Sequence, residues 1–225
     1  MKAVILAAGK GTRMGDLTKD TPKPLLTIKN KTLIQYKLDI LPLECDEIII
    51  IIGYLGDKIR NYFGDNFNGK KITYVYSEPF GTGYALWKAR QYLSGKFLVM
   101  CGDDLYCRQD VENCTKYPLS ILVSRNETAQ DGGKVVMNND GYIEDIIEGQ
   151  HGIGEVVSTG LYFLNDSIFD LPLKKINSSR EEYGLPQTLM QKKENKIRAV
   201  FATRWHQITS PRDLEISNKE LAFFE

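Results

Sequence analysis

Short apolar runs bounded by glycine, aspartate or asparagine recur along the chain and predict β-strands. The clearest run is Ile48 to Ile52, five consecutive isoleucines. A continuous apolar run of this kind is typical of a strand buried on both faces of a parallel sheet. The strands predicted in this way cover residues 3–6, 47–52, 97–100, 120–123, 160–164 and 197–201.

The segments between these strands have helical periodicity. Residues 32–41 carry apolar side chains at helical spacing, as do residues 81–93. A last helix is predicted over residues 211–224, where Ser210 caps the start, Pro211 occupies the first position and Asp213 the third. Alternating strands and helices predict an α/β fold, a Rossmann-like doubly wound sheet that is mostly parallel.

Residues 134–147 break this alternation, because they read as strand, turn and strand. The turn residues are Asn138, Asn139, Asp140 and Gly141. A small antiparallel excursion is therefore expected within the parallel sheet. No repeat or Pro/Ser-rich linker divides the chain, so residues 1–225 are predicted to form a single domain.

Charge and composition narrow the classes of partner. Lys plus Arg and Asp plus Glu each total 29, so no net field attracts nucleic acid or an anionic membrane. The first apolar stretch is too short for a signal peptide or a membrane span, which favours a cytoplasmic protein. The four cysteines form no C-x-x-C pair, so free thiols are expected rather than a zinc site or disulfides.

The loop after the first predicted strand is the strongest candidate for chemistry. It reads Leu6-Ala7-Ala8-Gly9-Lys10-Gly11-Thr12-Arg13-Met14 and is expected at the carboxyl edge of the sheet, where open α/β sheets bind ligands. Its backbone amides can approach phosphates because Gly9 and Gly11 have no side chains. A tight strand-to-helix turn is the alternative for the loop taken alone.

A lysine between two prolines favours a phosphate-binding loop over a simple strand-to-helix turn. Pro22 and Pro24 restrict the backbone on either side of Lys23, so its ammonium is presented from a stiff loop. A dinucleotide-binding fingerprint does not fit, because Met14 stands at the third glycine position, and the segment has no Walker A ending. Arg13 and Lys23 beside an amide cradle indicate a triphosphate site.

The chain resembles the sugar-phosphate nucleotidyltransferases, whose signature is L-A-A-G-x-G-T-R, a spacer and then P-K-P-L. Residues 6–25 match it at every defining position. Weaker matches follow in the family's order at residues 78–85, 102–104, 158–162 and 205–214. The resemblance implies transfer of a nucleoside monophosphate from a nucleoside triphosphate to a small phosphorylated acceptor, by default a sugar 1-phosphate, with release of pyrophosphate.

The resemblance also implies a role for each matching residue. Arg13 would hold the β- and γ-phosphates, and Lys23 the α-phosphate and the acceptor phosphate. Nucleotide contacts are implied for Leu6, Ala7, Ala8, Gly9, Gly11, Thr12, Gly81 and Thr82, with the last two near the base. Acceptor contacts are implied for Glu148, Ser158 and Gly160, and the antiparallel excursion is expected to contribute to the acceptor pocket.

Mg²⁺ is the expected cofactor, with Asp103 as the main ligand. Mg²⁺ is a hard cation, bound through one or two carboxylates together with substrate phosphates. Asp103 follows a predicted strand at the same sheet edge, and Asp104 beside it is taken as a loop residue. Gln207, which stands where many relatives carry a second metal carboxylate, is predicted as the other ligand, and His206 is taken as a packed or surface residue.

Several positions depart from the family pattern. Gly149 replaces the lysine that clamps the acceptor phosphate in many relatives, which leaves Lys134 or Arg204 as candidate replacements. Tyr76 replaces a glutamine that reads the base, so the base is left open. Gln187 ends the segment that resembles E-Y-E-L-T-D, where relatives carry an acid.

Three functional interpretations remain at the level of sequence. The first is an active enzyme acting on a sugar 1-phosphate. The second is a cytidylyltransferase acting on a non-sugar phosphoester such as phosphocholine. The third is a catalytically silent nucleotide-binding regulatory subunit, suggested by Gly149 and Gln207. Phe223 and Phe224 suggest either a homo-oligomer contact or packing against the sheet.

Overall fold

A computed structural model describes residues 1–127, 130–176, 181–191 and 196–220. The strands are β1 (Lys2–Ala7), β2 (Thr27–Ile28), β3 (Lys31–Thr32), β4 (Glu47–Ile52), β5 (Asn66–Phe67), β6 (Lys70–Tyr76), β7 (Lys96–Cys101), β8 (Asp104–Tyr106), β9 (Ser120–Arg125), β10 (Gln130–Met137), β11 (Ile143–His151), β12 (Val156–Asn165), β13 (Arg198–Phe201) and β14 (Trp205–Gln207). The helices are α1 (Leu33–Asp39), α2 (Gly56–Phe63), α3 (Thr82–Lys88), α4 (Arg108–Thr115), α5 (Leu185–Leu189) and α6 (Pro211–Glu220). Short 3₁₀ turns span Thr12–Thr18, Lys23–Leu25, Arg90–Tyr92 and Asp166–Asp170.

A parallel layer of β7, β1, β4 and β6 forms the centre of a ten-stranded mixed sheet. Val4 of β1 lies between Val99 of β7 and Ile49 of β4. Helices cover both faces: α1, α2 and α4 contribute to the apolar cluster on one side, and α3 and α5 to the cluster on the other. The predicted doubly wound α/β fold is confirmed.

The strand β6 was not predicted from the sequence, because it is only partly buried. It reads Lys-Lys-Ile-Thr-Tyr-Val-Tyr, and only Ile72 and Val75 are buried. Beyond it, as far as the described residues show, the sheet continues with the two-residue strand β5 alone. A strand covered this incompletely has no continuous apolar run, which is the signal that identified the central strands.

The antiparallel strands lie at one side of the parallel layer. β12 is antiparallel to β7, β9 and β10, so it joins the central strands to the hairpin of β10 and β11. The hairpin confirms the predicted excursion and its turn. Asn138 Oδ1 accepts hydrogen bonds from the amides of Asp140, at 3.1 Å, and Tyr142, at 3.0 Å.

Two predicted helix starts are confirmed by their capping bonds. Thr32 accepts a hydrogen bond from the amide of Gln35 at 3.2 Å, and α1 follows it directly. Asp213 accepts bonds from the amides of Thr209 and Ser210, at 2.8 and 2.7 Å, at the start of α6. The structure describes α6 as far as Glu220, so Phe223 and Phe224 lie outside the described residues.

Within the described part of the chain the longest helix, α6, has ten residues, and no helix there has the length and apolar composition needed to cross a bilayer.

The buried carboxylate of Asp110 ties α4 to the chain between β13 and β14. Asp110 is fully buried and accepts bonds from the amide and hydroxyl of Thr203, both at 2.9 Å, and from the amide of Arg204 at 3.2 Å. Hydrogen bonds to a charged group are stronger than neutral ones. Asp110 therefore sets the path of the chain into β14, which carries Gln207.

We expect Asp110→Asn to lower the free energy of unfolding by about 2 kcal/mol or more, because the amide both removes the charge and directs an NH₂ group towards backbone donors. Urea unfolding followed by circular dichroism measures this loss. Asp57→Asn, an exposed carboxylate in the first turn of α2, is the matched control and should lose less than about 1 kcal/mol. Equal losses in the two variants would contradict the role given to Asp110.

Candidate active site

A cavity of about 720 Å³ opens at the carboxyl edge of the parallel strands. The loops after β1 and β7 form its floor, and β12, the end of β11 and the segment before α5 form the opposite wall. All the residues predicted for the nucleotide, the acceptor and the metal line it, namely Leu6, Ala7, Ala8, Gly9, Gly11, Thr12, Arg13, Lys23, Gly81, Thr82, Asp103, Glu148, Ser158, Gly160 and Gln207. Residues scattered over the sequence are therefore neighbours around one cavity.

The glycine loop takes its shape from Gly11. Gly11 has φ 65° and precedes the 3₁₀ turn that contains Arg13. A Cβ atom at this position would lie 2.9 Å from Lys23 Cβ. Glycine is thus required here both by the left-handed backbone and by the close approach of Lys23.

Met14, at the position where a dinucleotide fold needs glycine, anchors the same loop. Its side chain is buried in a small apolar cluster that lies beneath the cavity floor. The other buried members of the cluster are Leu26, Ile28, Leu33, Leu105 and Ile208. The glycine loop therefore stands on a packed base, while Gly9, Lys10 and Arg13 are exposed towards the cavity.

Lys23 and Asp103 are joined by an ion pair at the cavity floor. Lys23 Nζ lies 2.6 Å from Asp103 Oδ2. The Lys23 side chain is only 7% exposed, whereas that of Asp103 is 34% exposed. The stiff Pro-Lys-Pro loop thus places the nearly buried ammonium of Lys23 beside the loop that follows β7.

Three potential ligand groups lie together beside this ion pair. The ligand atoms of Cys101, Asp103 and Asp104 are within 4.8 Å of one another. Oδ1 of Asp104 is buried and has no hydrogen-bond partner among the described residues. Burial raises the pKa of Asp104 well above its usual range, and the neighbouring Asp103 carboxylate adds to that rise.

Asp104 was expected to be a loop residue, but the structure places it in a strand. It is buried and begins β8, which pairs with β14 so that Asp104 lies opposite Gln207. This two-stranded ladder brings Gln207 to the carboxylates from a distant part of the chain. His206, which precedes Gln207 in β14, is partly buried and lines a separate concave surface instead of this cavity, in keeping with the packed or surface role predicted for it.

Gly81 and Thr82 lie at the start of α3, against the segment that precedes α5. The amide of Gly83 donates to the carbonyl of Tyr183 at 2.8 Å, and Thr82 Oγ1 accepts a bond from the amide of Leu185 at 3.1 Å. Gly81 has φ 94°, and a Cβ there would lie 2.5 Å from the Tyr183 carbonyl oxygen. Tyr76 is 64% exposed and is not among the cavity residues.

The acceptor wall is built around Glu148. Gln187 Nε2 donates a hydrogen bond to Glu148 Oε1 at 3.1 Å, so the side chain that replaces the family's acid orients Glu148. Gly160 has φ 80°, and a Cβ there would lie 2.6 Å from Cys101 Sγ. β12 can therefore pass close to the end of β7 only with glycine at this position.

Neither replacement suggested for the missing lysine lines the cavity. Lys134 forms an ion pair with Glu155 on the hairpin. Arg204 lies in a second concave surface, lined by residues 124–127 and 201–206. Both residues therefore lie away from the cavity, since Lys134 pairs with Glu155 on the hairpin and Arg204 lies between β13 and β14 at the other concave surface.

One charged residue was not predicted from the sequence, on a helix that packs against the Lys23–Leu25 turn and β8. Lys37 on α1 is fully buried, and its Nζ donates to the carbonyl of Leu33 at 2.9 Å. Its signal in the sequence is a lysine within the buried stripe of Ile34, Leu38 and Leu41. The four cysteines are free thiols, as expected.

The chain is similar to known proteins along nearly its whole length. GlmU of Methanococcus maripaludis, a bifunctional protein, is 30% identical over 224 residues, which are 97% of this chain and 54% of GlmU. The chain thus spans about half the length of that relative. AglF of Haloferax volcanii, a UTP–glucose-1-phosphate uridylyltransferase, is 28% identical, covering 98% of this chain and 96% of AglF.

A solved structure shows the same fold. It is the CTP:phosphocholine cytidylyltransferase LicC from Streptococcus pneumoniae, with a TM-score of 0.76, 24% identity and 98% coverage of both chains. The profile of the nucleotidyl transferase family matches residues 2–222. The chain therefore belongs to the nucleotidyl transferase family.

Proposed function

We propose that this protein transfers a nucleoside monophosphate from a nucleoside triphosphate to a phosphate oxygen of a small acceptor, and that residues 1–225 act as one catalytic domain. The observation that carries the proposal is the Lys23–Asp103 ion pair of 2.6 Å beside the glycine loop and Arg13. The lysine, the arginine and the backbone amides can bind a triphosphate. The carboxylate can bind the metal ion that accompanies the triphosphate.

In the proposed reaction an acceptor phosphate oxygen attacks the α-phosphorus. The new P–O bond forms as the bond to the β-phosphate bridging oxygen breaks, and the electron pair leaves with pyrophosphate. A phosphate monoester is largely ionised near neutral pH, so no general base is needed. The protein's task is to align the phosphates and to neutralise their charge.

Lys23 and Arg13 are suited to different phosphates of the triphosphate. Lys23 is nearly buried and held by a stiff loop, so it suits the α-phosphate, where the position of the charge matters most. Arg13 is exposed at the cavity mouth, where it suits the outer phosphates and the departing pyrophosphate.

The residues on the cavity floor fit Mg²⁺. Asp103 and Asp104 offer carboxylate oxygens, one of them unpartnered, and Gln207 offers an amide oxygen. Oxygen ligands of this kind are those that Mg²⁺ prefers. A bound Mg²⁺ would neutralise phosphate oxygens and help to orient them, while Asp103 and Gln207 would hold it at the floor.

A sugar 1-phosphate is the acceptor that we favour, because AglF acts on glucose 1-phosphate and is similar over nearly its whole length. Glu148, oriented by Gln187, is suited to a donor group such as a sugar hydroxyl. The enzyme is proposed to work in the cytoplasm, without nucleic acid or membrane partners. Whether it forms a homo-oligomer stays a prediction.

A cationic phosphoester such as phosphocholine is the second candidate. The specific observation is the charge of the acceptor wall: Glu148 and Glu182 line it, whereas the basic residues among the described cavity residues are Lys10, Arg13 and Lys23, all from the first 23 residues. Carboxylates attract a positively charged acceptor body. The likeness in fold to LicC is compatible with this candidate.

The experiment that tests the proposal is a pyrophosphate-release screen. Each nucleoside triphosphate is combined with hexose 1-phosphates, aminohexose 1-phosphates and phosphocholine, with and without Mg²⁺, and the products are identified by mass spectrometry. We expect release with one preferred pair. Nucleotide binding without release from any pair would favour the silent regulatory subunit and would overturn the proposal.

We expect Lys23→Ala to lower kcat by roughly two to three orders of magnitude, by analogy with the removal of one donor from a charge-stabilising site. Steady-state kinetics with the preferred pair measures the loss. Lys19→Ala removes an exposed cation of the same segment, paired with Asp16, and should keep kcat within about twofold. Unchanged turnover of Lys23→Ala would exclude the proposed role.

We expect Asp103→Asn to raise the Mg²⁺ concentration for half-maximal rate by roughly tenfold or more, since even the loss of a group that only supports a metal ligand has such an effect. A Mg²⁺ titration at saturating substrates measures this shift. Asp145→Asn, an exposed carboxylate on the hairpin, is the control. An unchanged Mg²⁺ requirement in Asp103→Asn would remove Asp103 from the metal site.

We expect Glu148→Gln to raise KM for the acceptor by about tenfold, the equivalent of one charged hydrogen bond. KM for the triphosphate should change by less than twofold, because Glu148 lies on the acceptor wall. Glu144→Gln, exposed on the same strand, is the matched control. Equal effects on the two KM values would show that Glu148 does not select the acceptor.

A further inference from the structure

The hairpin of β10 and β11 contains a buried histidine that the proposed reaction does not use. His151, the last residue of β11, is 8% exposed. Its Nε2 lies 3.0 Å from the carbonyl oxygen of Gly132 in β10 and 2.9 Å from that of Ile147 in β11. Carbonyl oxygens only accept hydrogen bonds, so Nε2 carries a proton and a single N–H group binds both strands.

The two carbonyl groups belong to peptide bonds that lead directly into the acceptor wall. The Gly132 carbonyl is part of the peptide bond to Gly133, and the Ile147 carbonyl is part of the peptide bond to Glu148. Gly132, Gly133 and Glu148 line the cavity, and Gly133 lies opposite Glu148 in the ladder. The imidazole therefore joins the two strands at the point where they enter the cavity.

The position of the Glu148 carboxylate depends on this part of the backbone. A Cβ atom at Gly133 would lie 3.5 Å from Glu148 Oε1, so the glutamate packs over a residue without a side chain. Gln187 Nε2 donates to the same oxygen at 3.1 Å. A hydrogen bond of this length is lost if its acceptor moves away by about 1 Å. A small shift of the strand that carries Glu148 would therefore undo its orientation.

The other edge of the imidazole faces the turn into β12. His151 Nδ1 lies 3.8 Å from Glu155 Oε2, beyond hydrogen-bond distance. Glu155 also accepts a bond from the amide of Gly152 at 2.7 Å and forms an ion pair with Lys134. A phenylalanine would fill the space of the ring equally well. The N–H group that binds the two carbonyls is thus the feature of His151 that packing does not require.

We propose that His151 is a positioning residue of the acceptor wall, which holds the peptide groups leading into Gly133 and Glu148 and thereby fixes the Glu148 carboxylate for the acceptor. The inference rests on the proposed function, because Glu148 is the group proposed to bind the acceptor. It adds to that function a residue that lies outside the cavity and acts through the backbone.

The test compares His151→Phe, which keeps a ring without a donor, with His151→Gln, whose amide keeps an N–H group near the position of Nε2. The acceptor is glucose 1-phosphate, or whichever acceptor of the pyrophosphate-release screen is turned over. We expect His151→Phe to raise KM for the acceptor by about tenfold, the scale of one buried hydrogen bond. Its kcat and its KM for the triphosphate should stay within threefold of the wild type. His151→Gln should restore KM for the acceptor to within threefold.

A double-mutant cycle tests whether His151 acts through Glu148. In the variant that carries both Glu148→Gln and His151→Phe, KM for the acceptor should lie within threefold of that of Glu148→Gln alone, because interacting residues are not additive. Ser120→Ala is the matched control. Ser120 is fully buried in β9 and donates to the carbonyl of Cys114 at 2.9 Å, so its loss also removes a buried bond to the backbone. It should leave both KM values within twofold.

Hydrogen–deuterium exchange without substrate measures the hairpin directly. The amides of residues 143–151 should exchange faster in His151→Phe than in the wild type, and His151→Gln should restore their protection. If His151→Phe does not fold, His151→Met takes its place under the same criteria, since methionine also lacks a donor and is more flexible.

Three results would overturn the inference. They are an acceptor KM of His151→Phe within twofold of the wild type, an equal rise of both KM values, and additive effects in the double variant. The absence of wild-type turnover in the pyrophosphate-release screen is instead a failure of the proposed function. Because the exchange measurement needs no turnover, it still decides whether His151 holds the hairpin, so the two failures are distinguishable.

Discussion

The ion pair between Lys23 and Asp103 is the interaction on which the rest of the site depends. It joins the loop after β1 to the loop after β7, two neighbouring parallel strands whose ends would otherwise be linked mainly by their ladder. Gly11 lies in the same connection after β1 as Lys23, and a Cβ at Gly11 would lie 2.9 Å from Lys23 Cβ. The position of the Lys23 charge thus depends on the absence of a side chain at Gly11.

Compensation of buried charge allows charged side chains to occupy the cavity floor. Two carboxylates and two lysines lie at or beneath it, and Lys23, Lys37 and Asp104 are buried. Groups buried in this way are stable only if each has a counter-charge or a hydrogen bond. The floor thus presents separate charged and polar groups, which suits the proposed binding of a polyphosphate and its metal ion. Net neutrality over the whole chain is compatible with such a site, because the binding of an anion is decided locally.

The two halves of the cavity differ in how they are built. The half proposed to face the triphosphate is made of loops that follow parallel strands, and Met14 of its glycine loop packs in a small apolar cluster. The half proposed to face the acceptor is made of antiparallel strands and of the segment before α5, joined by the bond between Gln187 and Glu148. The two halves meet where β12 pairs with β7, because Gly160 of β12 lies against Cys101 at the end of β7.

The sequence by itself determined the central strands, the hairpin, two helix starts and the residues around the cavity. Those features follow from local patterns: continuous apolar runs, turn residues such as Asn138 and Gly141, capping side chains, and a contiguous motif in residues 6–25. Only the tertiary structure decided which distant groups meet. The burial of Lys37, the pairing of Asp104 with Gln207 and the support of Glu148 by Gln187 each join elements far apart in sequence. Such contacts depend on how helices and strands pack, and no local period encodes them.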